Sequence, residues 1–149
     1  MSEVVFQGTH KIALDAKGRI TVPARVREQL AEACEGLLTL TRHPTGHLWV
    51  FPRPRWLKLR DQLLRMPMNN DPWKRIILGS AADVEIDGGA RVLVPPELRE
   101  AAALSKDVHL VGMGYVLELW DVTRQKEHEQ RLLSEHEMPA SIGDTVMQP

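Results

Sequence analysis

Cysteine is nearly absent from this sequence, since Cys34 is the only one among 149 residues. An intrachain disulfide and a cysteine-based metal site are therefore excluded, and a chain without disulfides is typical of the cytosol. No apolar run approaches the roughly 20 residues that a membrane helix needs. We therefore expect a cytoplasmic globular protein in which Cys34, set among alanines, is a core thiol rather than a nucleophile.

An excess of positive charge is also missing. The 19 Lys and Arg residues are balanced by 20 Asp and Glu residues, which gives a formal net charge of −1. Indiscriminate binding of nucleic acid requires a strong positive field, so the composition counts against that class of protein. A local basic patch is still present in the segment 11–27, where one carboxylate accompanies five cations: Asp15 with Lys11, Lys17, Arg19, Arg25 and Arg27.

The common catalytic motifs are absent as well. The sequence has no nucleophile elbow, no Walker-type phosphate loop and no dinucleotide-binding fingerprint. His43 and His47 are four residues apart, but they flank Pro44 and Gly46 and so lie on a turn rather than on one helical face. We therefore expect no metal site, no cofactor and no catalytic residue. A small hydrolase or metal-binding enzyme is the least favoured class.

What the sequence does contain is an internal repeat. The segment 15–28 aligns with 87–100 at an offset of 72, and six of the fourteen positions are identical (Asp, Arg, Val, Pro, Arg and Glu). Average residue usage would give about one identity by chance. Further along, 48–51 resembles 117–120 at an offset of 69, so the second copy lacks three residues (72 minus 69) in the loop between.

Each copy is predicted to fold as a hairpin, a helix and a second hairpin. The first turn begins with Asp15 or Asp87, because Asp bonds its own backbone, and Gly18 is expected to have a positive φ. Pro23 or Pro95 then ends the second strand and starts the helix. The predicted strands are 11–14, 19–22, 38–41 and 48–51 in one copy and 84–86, 91–94, 108–111 and 116–120 in the other, with trailing helices over 54–66 and 124–136.

A half-unit of this size cannot bury its apolar face alone, so the two copies are expected to share one core. The predicted class is α+β, with a β-barrel core formed by two pseudo-two-fold hairpin-and-helix repeats and with flanking helices. The expected division is a first repeat with its trailing helix (6–66), a linker with a short helix (67–80), a second repeat with its helix (81–137) and a disordered tail (138–149).

The repeated residues also resemble a known family. The elements that carry the resemblance are Phe6-Gln7-Gly8, 14–20, Val22-Pro23 and Arg27 in the first copy and Asp87, Arg91-Val92, Val94-Pro95, Leu98-Arg99 and Glu118-Leu119-Trp120 in the second. Two copies at this spacing, followed by Glu-x-Trp, are similar to the MraZ family, which belongs to the AbrB-like, looped-hinge-helix DNA-binding proteins. The resemblance covers about residues 6–120. The second copy departs from the pattern at Gly89-Ala90, where it lacks a lysine.

The resemblance implies a sequence-specific, nucleoid-associated transcription regulator of the cell division and cell wall gene cluster. It implies binding to short direct repeats in promoter DNA, and assembly into a homo-oligomeric ring, an octamer or larger. Carried onto this sequence, the DNA-binding residues are Arg19, Lys17 and Arg91. Asp15, Gly18 and Asp87 are assigned to the turns themselves.

Two other interpretations of these residues remain open. Arg19 and Arg91 can pair with Asp15 and Asp87 across the turns and only shape them. Neutral net charge also suits a ring-forming protein-interaction scaffold without DNA affinity. Salt-sensitive binding of duplex DNA separates that scaffold from a regulator.

Overall fold

A computed structural model describes residues 4–149, which form eight β-strands, six α-helices and one 3-10 turn. The first copy and the linker comprise β1 (Thr9–Ala13), β2 (Arg19–Thr21), α1 (Ala24–Cys34), β3 (Leu37–Arg42), β4 (Leu48–Pro52), α2 (Arg53–Arg65), the 3-10 turn (Met68–Asn70) and α3 (Asp71–Ile77). The second copy comprises β5 (Ala82–Glu85), β6 (Arg91–Leu93), α4 (Pro96–Ala101), β7 (Asp107–Gly112), β8 (Leu117–Asp121), α5 (Val122–Glu135) and α6 (Ala140–Val146).

The predicted α+β class is confirmed, with antiparallel pairing throughout the two sheets. One sheet has six strands in the order β1-β7-β8-β4-β3-β5, and the other contains β2 and β6. The assigned strands do not close into one continuous barrel, so the barrel core is not confirmed. Strand β1 pairs with β7, β3 with β5, β4 with β8 and β2 with β6, so these four pairs each join the two copies. Neither copy could complete its sheets alone.

The main core lies between the helices and the two sheets. Val26, Leu30 and Cys34 recur every four residues along α1, and each is at most 7% exposed. That spacing puts them on one face of the helix, which packs against the strands. Cys34 is therefore a core thiol, as the sequence predicts, and burial raises its pKa. A second cluster contains Phe51, Trp56, Leu63 and Ile77, through which α2 and α3 cover the outside of the six-stranded sheet.

Two helices begin slightly earlier than the sequence predicts. Helix α5 begins at Val122 because the Asp121 carboxylate accepts the backbone N–H of Arg124 and so caps the first turn,. Helix α2 begins at Arg53 because Pro54 is tolerated in a first turn, where its missing N–H has no partner to lose,.

The C-terminal segment differs from the rest of the chain in its exposure. The tail 138–149, predicted to be disordered, contains the short helix α6. Every residue of 131–149 except Gly143 is exposed, so α6 does not contribute to either core cluster. Across residues 4–149, no helix combines the length and apolar content needed to cross a bilayer.

Candidate nucleic-acid interface

The turn between β1 and β2 is organised by the side chain of Asp15. Its Oδ1 accepts the backbone N–H groups of Lys17 at 2.9 Å and Arg19 at 2.8 Å. The Asp15 backbone oxygen accepts the N–H of Gly18 at 3.0 Å. Gly18 has φ +83°, so the predicted positive φ is confirmed. Because the backbone N–H of Arg19 stabilises the ionised form, the pKa of Asp15 lies below its ordinary value,.

The corresponding turn in the second copy has the same hydrogen bonds despite its different residues. Asp87 Oδ1 accepts the N–H groups of Gly89 at 2.8 Å and Arg91 at 3.0 Å. Ala90 occupies the position equivalent to Gly18 and has φ +63°, in the left-handed region. The backbone N–H of Arg91 lowers the pKa of Asp87. The repeat seen in the sequence is thus a repeat in backbone geometry.

Strands β2 and β6 bring the two turns together. Arg19 lies opposite Leu93, Ile20 opposite Val92 and Thr21 opposite Arg91. Ile20 and Val92 are buried in the core. Because successive side chains in a strand alternate between faces, Arg19 and Arg91 share the opposite, outer face. They are diagonal neighbours there, a relation that corresponds to roughly 7–8 Å between backbones. We call this face, with Lys17, the hairpin surface.

Both arginines lie beside the aspartate of their own turn, as the second interpretation of the sequence expects. Arg19 Nε donates to Asp15 Oδ2 at 3.0 Å. Arg91 Nε lies 4.0 Å from Asp87 Oδ2 and makes no hydrogen bond to it. The two side chains are 25% and 40% exposed. Pairing through Nε does not use the terminal amino groups of Arg19, so a structural and a DNA-binding role are compatible.

The hairpin surface includes a fourth cation, Arg99, which the sequence analysis did not assign to it. Arg99, from α4 of the second copy, donates from Nε to the backbone oxygen of Val94 at 3.0 Å. Its guanidinium covers Gly18 so closely that a Cβ there would lie 2.6 Å from Cζ. Arg27, the repeat equivalent of Arg99, is exposed. The contact between Arg99 and the first turn joins the two copies, so the sequence pattern within one copy could not predict it.

The cations of the hairpin surface are unevenly divided between the two turns. Lys17, Arg19 and Arg99 lie at the first turn, where Lys17 is exposed. At the second turn Gly89 replaces the lysine, and Arg91 lies beside Asp87. The first turn therefore has the stronger local positive charge.

A second polar cluster lies at the turn between β3 and β4, where the sequence places His43 and His47. Their rings stack with centroids 4.0 Å apart. Glu118, from β8, approaches His47 with Oε2 at 2.9 Å from Nε2. Trp120 stacks on His47 at 3.9 Å between centroids. The sequence missed this cluster because β4 and β8 become neighbours only in the folded sheet.

Two interleaved repeats that present cations from both turns on one face define a two-repeat α+β protein with a candidate DNA surface. The family model of the MraZ protein matches this chain twice, over residues 5–76 and 77–144. The chain belongs to the MraZ family.

Three curated relatives, each named transcriptional regulator MraZ, are similar to the chain over nearly its whole length. The protein of Methylibium petroleiphilum is 55% identical over 97% of this chain and 98% of its own length. That of Leptothrix cholodnii is 54% identical over the same shares. That of an Acidovorax species is 53% identical over 94% of this chain and 98% of its own. Family and names agree with the prediction that the chain is not an enzyme.

Proposed function

We propose that the chain is a transcription regulator that binds duplex DNA through the hairpin surface. The observation that carries the proposal is that Arg19 and Arg91 share the outer face of β2 and β6, while the exposed Lys17 and the guanidinium of Arg99 lie at the first turn beside them. The names of the relatives support the same function.

The hairpin surface suits DNA because its cations are fixed rather than numerous. Asp15 fixes the stem of Arg19 while the terminal nitrogens remain available for a phosphate or for the O6 and N7 atoms of guanine,. Asp15 and Asp87 offset part of the positive charge, which limits binding to unrelated DNA. Affinity therefore depends on geometry more than on net charge.

We further propose that the first turn makes the stronger DNA contact. Lys17 is an exposed point charge suited to phosphate, and Arg99 adds a second cation over Gly18,. Arg91 has neither neighbour on its own turn. The two turns would then contribute unequally, although their backbones are alike.

The finer features of function follow from the family resemblance and remain proposals. They are a homo-oligomeric ring, an octamer or larger, short direct repeats in the promoter of the cell division and cell wall gene cluster, and a location in the cytoplasm at the nucleoid. A ring would apply one weak contact repeatedly along repeated sites, which raises avidity without new chemistry. We also interpret β2 and β6, joined to the larger sheet by the two Asp turns, as completing an AbrB-like barrel.

The test is DNA capture followed by binding measurements on matched variants. Genome-wide capture with the wild-type chain identifies the operator. Binding to that duplex is then compared for wild type, Arg19→Ala and Lys58→Ala. Lys58 is an exposed cation on α2, outside the hairpin surface, so its variant removes the same charge elsewhere.

We expect Arg19→Ala to weaken binding and Lys58→Ala to leave it near wild type. If only Lys58→Ala weakens DNA binding, the DNA-binding surface lies on the basic helix α2 and not on the hairpin surface. Absence of salt-sensitive duplex binding by the wild type would instead favour the protein-interaction scaffold.

A further inference from the structure

The cluster around His47 is built mainly from the two copies' neighbouring strands and has no role in the proposed DNA contact. His43 and His47 flank the turn that joins β3 to β4, which is closed by the N–H of His43 donating to the oxygen of His47 at 2.9 Å. Glu118 projects from β8. One ligand atom from each of these three residues lies within 4.8 Å of the other two.

The polar atoms of His47 are not satisfied by the protein. His47 is only 4% exposed, yet neither of its ring nitrogens has a hydrogen-bond partner in residues 4–149. Glu118 Oε2 lies 2.9 Å from Nε2, an ion-pair contact that leaves Nδ1 of the buried ring without a hydrogen-bond partner in the described part of the chain. A buried polar group without a partner is costly, so such a group needs an explanation. A short separation such as that between His47 Nε2 and Glu118 Oε2 is also found between two side chains that bind the same metal ion,.

The surroundings of the cluster fit a bound cation. Trp120 Nε1 donates to Glu118 Oε1 at 2.9 Å and so holds the carboxylate while Oε2 faces His47. Orientation of a ligand by a neighbouring hydrogen bond is usual at metal sites.

We propose that His43, His47 and Glu118 bind a divalent transition-metal ion, with zinc as the ion that fits best. Two imidazoles and one carboxylate are ligands that Zn²⁺ favours, and water would complete a tetrahedron. Such a site needs donors roughly 3.3 Å apart. His47 and Glu118 are already near this separation. The ion would join the β3–β4 hairpin of the first copy to β8 of the second, as a structural link.

His43 must move for the site to close. Imidazole binds a metal in the plane of its ring, and stacked rings cannot both point at one ion. The N–H of Thr45 donates to His43 Nδ1 at 3.0 Å in the structure. Metal binding therefore turns the His43 ring out of the stack and breaks the contact with Thr45. The half-buried position of His43 at the end of a turn allows that rotation.

The experiment uses the untagged full-length chain and measures Zn²⁺ binding by calorimetry and Co²⁺ binding by visible absorption. The test variants are His43→Gln and Glu118→Gln, with His136→Gln as the control, since His136 is exposed and lies outside the cluster. Circular dichroism checks that each variant folds. His43→Gln changes a half-buried turn residue, so it keeps the test valid if Glu118→Gln is unstable.

We expect one equivalent of Zn²⁺ per chain, at least tenfold weaker binding in both test variants and unchanged binding in His136→Gln. Co²⁺ should show the intense visible bands of tetrahedral coordination, and the amide signal of Thr45 should shift when zinc is added. No binding at micromolar zinc, or binding that His43→Gln retains in full, would overturn the proposal.

Discussion

The substitution Gly18→Ala tests the geometry of the first turn most sharply. Gly18 has φ +83°, a region that costs a residue with a Cβ roughly 1–2 kcal/mol,. The new Cβ would also lie 2.6 Å from Arg99 Cζ, so the guanidinium must move. Moving it weakens the hydrogen bond from Arg99 to Val94, which is worth about 1 kcal/mol. We therefore expect a total loss of about 2–3 kcal/mol in the free energy of unfolding.

A matched control is available at Gly114. Its φ is +84°, almost the same as that of Gly18, but no atom lies within 4 Å of the position of its Cβ. Gly114→Ala should therefore show the backbone cost alone. The difference between the two variants isolates the displacement of Arg99.

Urea unfolding and thermal melting measure both variants. The extra loss of about 1 kcal/mol in Gly18→Ala should appear as a melting temperature lower than that of Gly114→Ala by about 2–4 °C. DNA affinity should fall in Gly18→Ala only, because only that variant disturbs the hairpin surface. Equal stability and equal affinity in the two variants would refute the contact between Arg99 and the first turn.

Three further results are expected. Arg91→Ala should reduce DNA affinity less than Arg19→Ala does in the same titration, whereas equal losses would mean that the copies contribute alike. Asp121→Ala removes the cap of α5 and the two hydrogen bonds that Ser105 donates to Asp121 Oδ1, so it should cost at least about 1–2 kcal/mol in urea unfolding,, and no loss would mean that neither contact stabilises the fold. The pKa of Asp15 is lowered from 3.8, so its contribution to stability is full above that value and disappears as pH falls through the lower folded pKa,. The protection of the first-turn amides, relative to the intrinsic exchange rate at each pH, should consequently not depend on the protonation of Asp15 between about pH 5 and 8 and should fall only in stronger acid.

The local structure of this chain could be predicted because local rules determine it. The four-residue spacing of Val26 and Leu30 predicts which face of α1 is buried, and Pro23 predicts where the helix begins. Gly18 and Asp15 define the turn through the positive φ and the side-chain hydrogen bonds that those residues favour. The repeat then indicates that the same structure occurs twice.

The pairing between copies could not be predicted in the same way. Strands β1 and β7 are far apart in sequence. They become neighbours because the apolar faces of the two copies are buried against each other in one shared core. Arg99 reaches Gly18, and Glu118 reaches His47, only after this pairing. Spacing along the chain therefore predicted the turn that Asp15 and Gly18 form, but it could not indicate that Glu118 lies beside His47.

The central claim is that Arg19 contacts DNA, and the salt dependence of binding tests it most directly. Affinity of wild type and Arg19→Ala is measured for operator and scrambled duplexes across a series of salt concentrations. Loss of a phosphate contact should lower the salt slope by about one per engaged subunit. Loss of a base contact should reduce discrimination between the duplexes by roughly 1–3 kcal/mol per contact. Unchanged affinity and slope on both duplexes would show that Arg19 serves only as the partner of Asp15 and that DNA binds elsewhere.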